Sequence, residues 1–334
     1  MAARGVRRGP APIIAPMHLV IPFASALTEA AQHALGTLAL PNLERLLGRW
    51  TPRAQAADVP DADEYTLSMP HERLVARLRG WPVADGLLPF GAEAARADGL
   101  APATGTGWAL LTPAHWHVGR EQINLVDPAS LALEEAEART FHETLAPLFE
   151  DLGWRFHWGG ASRWYASHPS LASLPSASID RVIGRNVDLW LNDHPDILLV
   201  RRLQSEAQML LYVHPLNDER AARGALTMNS FWLSGSGPAA PADATLPADV
   251  IVDDRLRAPA LAEDWSAWAE AWHALDAGPV RTLADAAAAS PGGGHALSLA
   301  GERAARTWEP AARPWWKSLL GARPGHAQPV LAAL

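Results

Sequence analysis

Apolar and polar positions fall in short blocks along the chain, and the blocks switch between strand-like and helix-like spacing. His18-Leu19-Val20-Ile21 is a short apolar run closed by Pro22, the pattern of a buried first strand ending in a turn. Leu43 to Trp50 has the spacing of a short helix opened by Pro41-Asn42, and the polar residues 51–64 predict a loop. A helix from Glu72 to Arg79 follows, stopped by Gly80-Trp81-Pro82. Residues 91–106, rich in alanine and glycine, predict little regular structure, whereas Trp108 to Thr112 and Gln122 to Val126 predict strands. The clearest helical pattern runs from Leu131 to Leu152. Ser130 is its N-cap, Glu134 and Glu135 lie at its positive end, Phe141, Leu145, Leu148 and Leu152 form its stripe, and Gly153 ends it. Pro147 should bend it. Arg155 to Trp158 alternates like a strand, and Ile197 to Leu211 predicts a second helix. Ser230 to Leu233 predicts a buried strand that stops at Ser234-Gly235-Ser236-Gly237-Pro238, and Val250 to Val252 a short one. On a helix from Ala262 to Leu275, Trp265, Trp268 and Trp272 recur at helical spacing, the pattern of a core stripe. Beyond Pro291-Gly292-Gly293-Gly294 the pattern is Ala-rich and predicts nothing definite. Strands alternating with helices define an α/β class.

Composition narrows the function classes. The chain has 334 residues, room for two average domains or one large domain with an insertion. With 49% hydrophobic and 19% charged residues it is globular. A formal charge of -8 without a local basic patch argues against nucleic-acid binding. The absence of cysteine removes disulfides, thiolate catalysis, iron–sulfur clusters and cysteine zinc sites. No apolar run reaches the ~18 residues of a membrane span. Arg4, Arg7 and Arg8 before an apolar stretch, with Ala24-Ser25-Ala26 after it, imitate a secretion signal. Pro12, Pro16 and Pro22 interrupt that stretch, so residues 1–16 are expected to be a loose leader of a cytoplasmic protein.

Several constellations bear on chemistry, each with a plain structural reading beside it. A strand ending in Gly235 and Gly237 lets backbone N–H groups approach an anion, or makes a tight turn. His214, Asn217, Arg220 and Arg223 form a compact group that could hold a phosphate or carboxylate, or simply close a helix. His115 and His117 share one face of a strand and could start a metal site, though no third ligand is evident, and Arg120 just beyond suits an anion. Asp193-His194 and Asp253-Asp254 are ligand pairs for Mn or Zn, or caps. No Gly-x-Ser-x-Gly elbow is present.

Taken together, certain segments resemble one family. Leu40-Pro41-Asn42-Leu43-Glu44-Arg45-Leu46 is similar to a segment near the start of alkaline-phosphatase-superfamily proteins. Gln122 to Asp127, the helix to Leu152 and Phe156 to Tyr165 resemble the inserted strand–helix–strand module of archaeal-type cofactor-independent phosphoglycerate mutases. His214-Pro215-Leu216-Asn217-Asp218-Glu219-Arg220 with Asn229 to Gly237 resembles that family's most specific run, and the overall likeness is to its shorter RpfE-type regulatory branch. The resemblance implies an alkaline-phosphatase-like core sheet with helices on both faces, built from 17–117 and 180–320, an inserted module at 118–179 and a tail at 321–334. It also implies two divalent ions and a nucleophilic serine, but the family's Asp-Gly after the first strand is here Pro22-Phe23-Ala24. Ser68 is the remnant nucleophile, and the C-terminal metal motifs have no counterpart. The expectation is therefore a catalytically degenerate protein without cofactor or metal. Its pocket would hold a small anionic metabolite with His115, His117, Arg120 and Arg201, and with His214, Asn217, Arg220, Asn229, Gly235 and Gly237. Two alternatives stand beside it: an active mutase or phosphotransferase using Mn or Zn on His115, His117 and Asp127, and a protein-interaction module presenting exposed tryptophans.

Overall fold

The run expected to be the first strand forms β1 (His18–Ile21), fully buried, an interior strand of a mixed five-stranded sheet. A computed structural model of the chain describes residues 15–54, 61–191, 193–290, 292–310 and 327–334; most of the expected leader lies outside them. Strands β9 (Val250–Val252) and β10 (Ala296–Ala300) flank β1, both parallel to it. Antiparallel β11 (Ala305–Pro310) and then β2 (Trp50–Pro52) extend the sheet on the β10 side. Leu19, Ile21, Leu297 and Leu299 alternate onto one face and are buried under α1 (Glu29–Thr37), α2 (Pro41–Leu47), α10 (Trp265–Leu275), α11 (Arg281–Ala289) and α12 (Ala327–Ala332). The tryptophan stripe behaves as expected, with Trp268 and Trp272 completely buried in this core.

The four-stranded second sheet is antiparallel throughout. Its strands are β3 (Gly107–Ala114), β6 (Arg155–Gly160), β7 (Arg163–Ser167) and β8 (Ser230–Pro238), in the order β6-β7-β3-β8. Helices α5 (Glu135–Glu150) and α7 (Ile197–Tyr212) pack their apolar stripes onto it, burying Phe141, Leu145 and Phe149 with Leu203 and Phe231. A hairpin, β4 (Trp116–Val118) with β5 (Ile123–Leu125), leads out of β3. The remaining helices are α3 (Pro70–Leu78), α4 (Phe90–Ala97), α6 (Ile179–Val182), α8 (Pro215–Ala222) and α9 (Arg257–Leu261). The protein is thus mixed α/β. Segments assigned by resemblance to core (β3, β8) and insert (β6, β7) share this one sheet, so hydrogen bonding runs across the expected boundaries at 117/118 and 179/180.

Some elements differ from expectation for physical reasons. The Ala/Gly-rich stretch contains α4, which lies directly on the second sheet. A Cβ on Gly91 would lie 2.6 Å from the Leu110 nitrogen, and one on Gly235 would lie 2.7 Å from the Gly91 nitrogen. That close approach is what Gly235 serves, and β8 runs on through it and Gly237 instead of stopping at Ser234. Ser130 is not a helix cap, because residues 128–131 form a separate 3₁₀ turn and Ala132 takes a left-handed φ of 44°. The helix then begins at Glu135, and Glu137 reaches back to accept the Glu134 N–H. Beyond the triple glycine the described residues form β10, β11 and α12, and Leu331 and Leu334 are buried in the first core.

Candidate functional site

The carboxyl ends of β1, β9 and β10 lie side by side, the edge where ligands bind in parallel α/β sheets. Phe23, just beyond β1, holds a φ of 56°, rare for a bulky residue. Its carbonyl accepts the Trp268 indole N–H at 3.0 Å, and its ring stands 5.0 Å from that of His71. A cavity of about 60 Å³ opens here, with Phe23, Ser25, Met69, Asp180, Arg185 and Glu302 in its wall. The buried Ser25 hydroxyl has no hydrogen-bond partner among the described residues.

Charged groups from four distant segments crowd behind this cavity. Pro70 at the first helical position sets His71 and Glu72 in the opening turn of α3. Glu72 accepts the Met69 N–H at 2.8 Å and the Ser178 hydroxyl at 2.8 Å. Burial, with the charge of Asp180 added, pushes its carboxyl up to about 7. Burial likewise drives His71 down to about 4, against the pull of Asp180, whose carboxylate is 3.9 Å away. Asp180 in α6 takes both oxygens to the Arg257 guanidinium, and Arg185 pairs with Glu302. Next to Asp180, Arg181 is only 4% exposed, and its Nε and Nη2 have no acceptor. Burial first, then the charges of Arg185 and Arg73, lower its pKa, while Glu302 and Glu72 act the other way. Burying a guanidinium with unpartnered nitrogens is costly; Arg181 lies behind the cavity wall, which itself carries Asp180, Glu263 and Glu302 beside Arg185.

The two-ion centre implied by the resemblance does not fit this donor set. Among the described residues no group of three His, Asp or Glu side chains is placed to hold a metal ion, and at the end of β1 the carboxylate of Asp180 is already paired with Arg257. Asp127 accepts the Ala129 N–H, Asp253 holds Arg255 and His194 accepts the Asp196 N–H just before α7.

The residues singled out from sequence lie elsewhere and do not form one pocket. Ser68 is buried, its hydroxyl accepting the Gly86 N–H at 2.8 Å, and it is absent from the cavity wall. His115 contacts the Thr227 carbonyl, and Asn229 exchanges two hydrogen bonds with the Trp116 backbone, stitching β4 to the start of β8. His117 and Arg120 are exposed on the β4–β5 hairpin, and Arg201 is exposed on α7. His214 caps α8 and meets Thr144, while Asn217 ties Leu211 to Met228. Arg220, expected in a ligand pocket, instead has a guanidinium only 1% exposed, with each of its three nitrogens bonded within the protein, to Glu137 and to the Leu131 and Leu226 carbonyls.

His71, Glu72, Asp180, Arg181, Arg185 and Arg257 were missed. The one local signal was Asp180-Arg181 set between Ile179 and Val182, charges in an apolar context.

No protein-family model matches the chain, and no curated protein matches it. Solved structures similar to it include the cofactor-independent phosphoglycerate mutase from Thermoplasma acidophilum DSM 1728, at 13% identity and a TM-score of 0.36, covering 90% of this chain and 91% of that one. Another is the PH0037 protein from Pyrococcus horikoshii, at 11% identity and a TM-score of 0.41, covering 89% and 87%.

Proposed function

We propose that this chain is a phosphoglycerate-mutase-like protein of regulatory type that has lost two-metal catalysis and binds a small phosphorylated or carboxylated metabolite. The site is the cavity at the carboxyl end of β1. The observation that carries this reading is Arg181, which lies behind the cavity wall next to its Asp180 and has two buried nitrogens without an acceptor among the described residues. The unpartnered Ser25 hydroxyl supports it as a second donor. The left-handed backbone at Phe23 also bears on the lost chemistry. That conformation belongs to glycine, so in an Asp-Gly pair at this place Phe23 stands for the glycine and Pro22 for the metal-binding carboxylate.

The test is thermal unfolding with inorganic phosphate and with 3-phosphoglycerate, alongside a turnover assay with Mn. The wild type should gain stability with at least one anion. Arg181→Gln should unfold at higher temperature without ligand and lose that response. A response unchanged in Arg181→Gln refutes the site, and turnover with Mn refutes the loss of catalysis.

A further inference from the structure

A second, larger hollow lies at one end of the second sheet, where β3 and β6 begin and β7 ends. Its volume is about 530 Å³, within the range of small-molecule sites, and it shares no wall residue with the cavity at β1. Its wall is built largely of alanine, glycine and proline. At its floor Gly107 lets the 168–172 backbone pack directly against β3, since a Cβ there would lie 2.3 Å from the His168 carbonyl oxygen.

The hydrogen-bonding inventory of the wall is one-sided. Trp108 donates its indole N–H to Thr106, the Thr106 hydroxyl donates to Ala103, and the Ser167 hydroxyl is joined to His157, so these groups are engaged. His168 accepts the Ser170 N–H at Nδ1, which leaves the ring proton on Nε2 as a donor without a protein partner. Arg155 is exposed and makes no hydrogen bond or ion pair among the described residues. No Asp or Glu lies in the wall. In a protein of net charge -8, a cavity with two unused donors, one of them permanently cationic, and no carboxylate selects for an anion. Trp108, stacked 4.7 Å from His157, and Pro169 supply apolar surface for the rest of a ligand.

We infer that this cavity binds a small organic acid. Arg155 and the His168 Nε2–H hold its carboxylate or phosphoryl head, and its apolar body lies against Trp108 and Pro169. The test is calorimetric titration of the full chain with benzoate, phenyl phosphate and the neutral benzamide. At least one of the two anions should bind, and which one does identifies the head group. Benzamide should bind about tenfold more weakly or not at all. Arg155→Gln, a change at an exposed position, should weaken binding about tenfold, and Ala101→Trp, which fills the hollow, should abolish it. Arg181→Gln should leave it intact; loss of binding there would move the ligand to the β1 cavity and overturn the inference. Failure of both anions to bind, equal binding of benzamide, or unchanged affinity in Arg155→Gln or Ala101→Trp would overturn it as well.

Discussion

Glu72→Gln tests the charge balance behind the β1 cavity. The buried carboxyl titrates at about 7 instead of its ordinary 4.5, so the folded protein keeps a proton that the unfolded chain releases. Stability from this group is complete below about pH 4.5 and is lost as pH rises to about 7, a displacement worth roughly 3 kcal/mol. Glutamine carries no charge to desolvate, and its amide can still accept from Met69 and meet Ser178. The variant should therefore match the wild type near pH 4, gain on it between about 4.5 and 7, and hold a lead of up to roughly 3 kcal/mol above that.

His71 supplies an internal control with the opposite sign. Its pKa falls from 6.5 to about 4 in the folded state, so its contribution is lost as pH drops through that interval. In the wild type the two groups offset each other between about pH 4.5 and 6.5, because the fold takes up one proton at Glu72 and refuses one at His71. In Glu72→Gln the histidine acts alone, and stability should fall with acid across that window. Urea unfolding followed by tryptophan fluorescence, at several pH values, reads both effects as midpoints. If the variant is destabilised by a similar amount at every pH, the carboxylate is ionised in the fold and serves as an acceptor, and the reasoning is wrong.

Two further predictions concern groups that hold the frame. Arg220→Leu leaves buried Glu137 with only Arg223 as its cationic partner and should cost about 1–3 kcal/mol in chemical denaturation, with the Glu137→Leu double variant recovering part of it. Asp276→Ala should cost about 1–3 kcal/mol, because this buried carboxylate accepts the Asn42 and Leu43 N–H groups that open α2; a loss below about half a kilocalorie would contradict that capping role.

Asp276 also explains why one quoted motif was legible only in part. Pro41-Asn42-Leu43 announces a helix start through its local chemistry, but the acceptor comes from the turn between α10 and α11. Arg220 is the same case with a larger consequence. Beside His214 and Asn217 it reads equally as a ligand clamp or as a structural residue, and Glu137, on α5, decides. Gly235 and Gly237 suggested an anion loop, whereas the helix that actually approaches, α4, lies in a stretch with too weak a pattern to predict.

By itself the sequence determined β1, the long α7, the short β9 and the buried Trp268 and Trp272, because apolar periodicity is a local property that burial then respects. Only the tertiary structure decided where the charges lie. His71 and Glu72, Asp180 and Arg181, Arg257, and Glu302 come from four separate segments, and their protonation and pairing are set by burial and by one another's charge. Those are through-space quantities, and they do not exist until the strands and helices have brought the segments together.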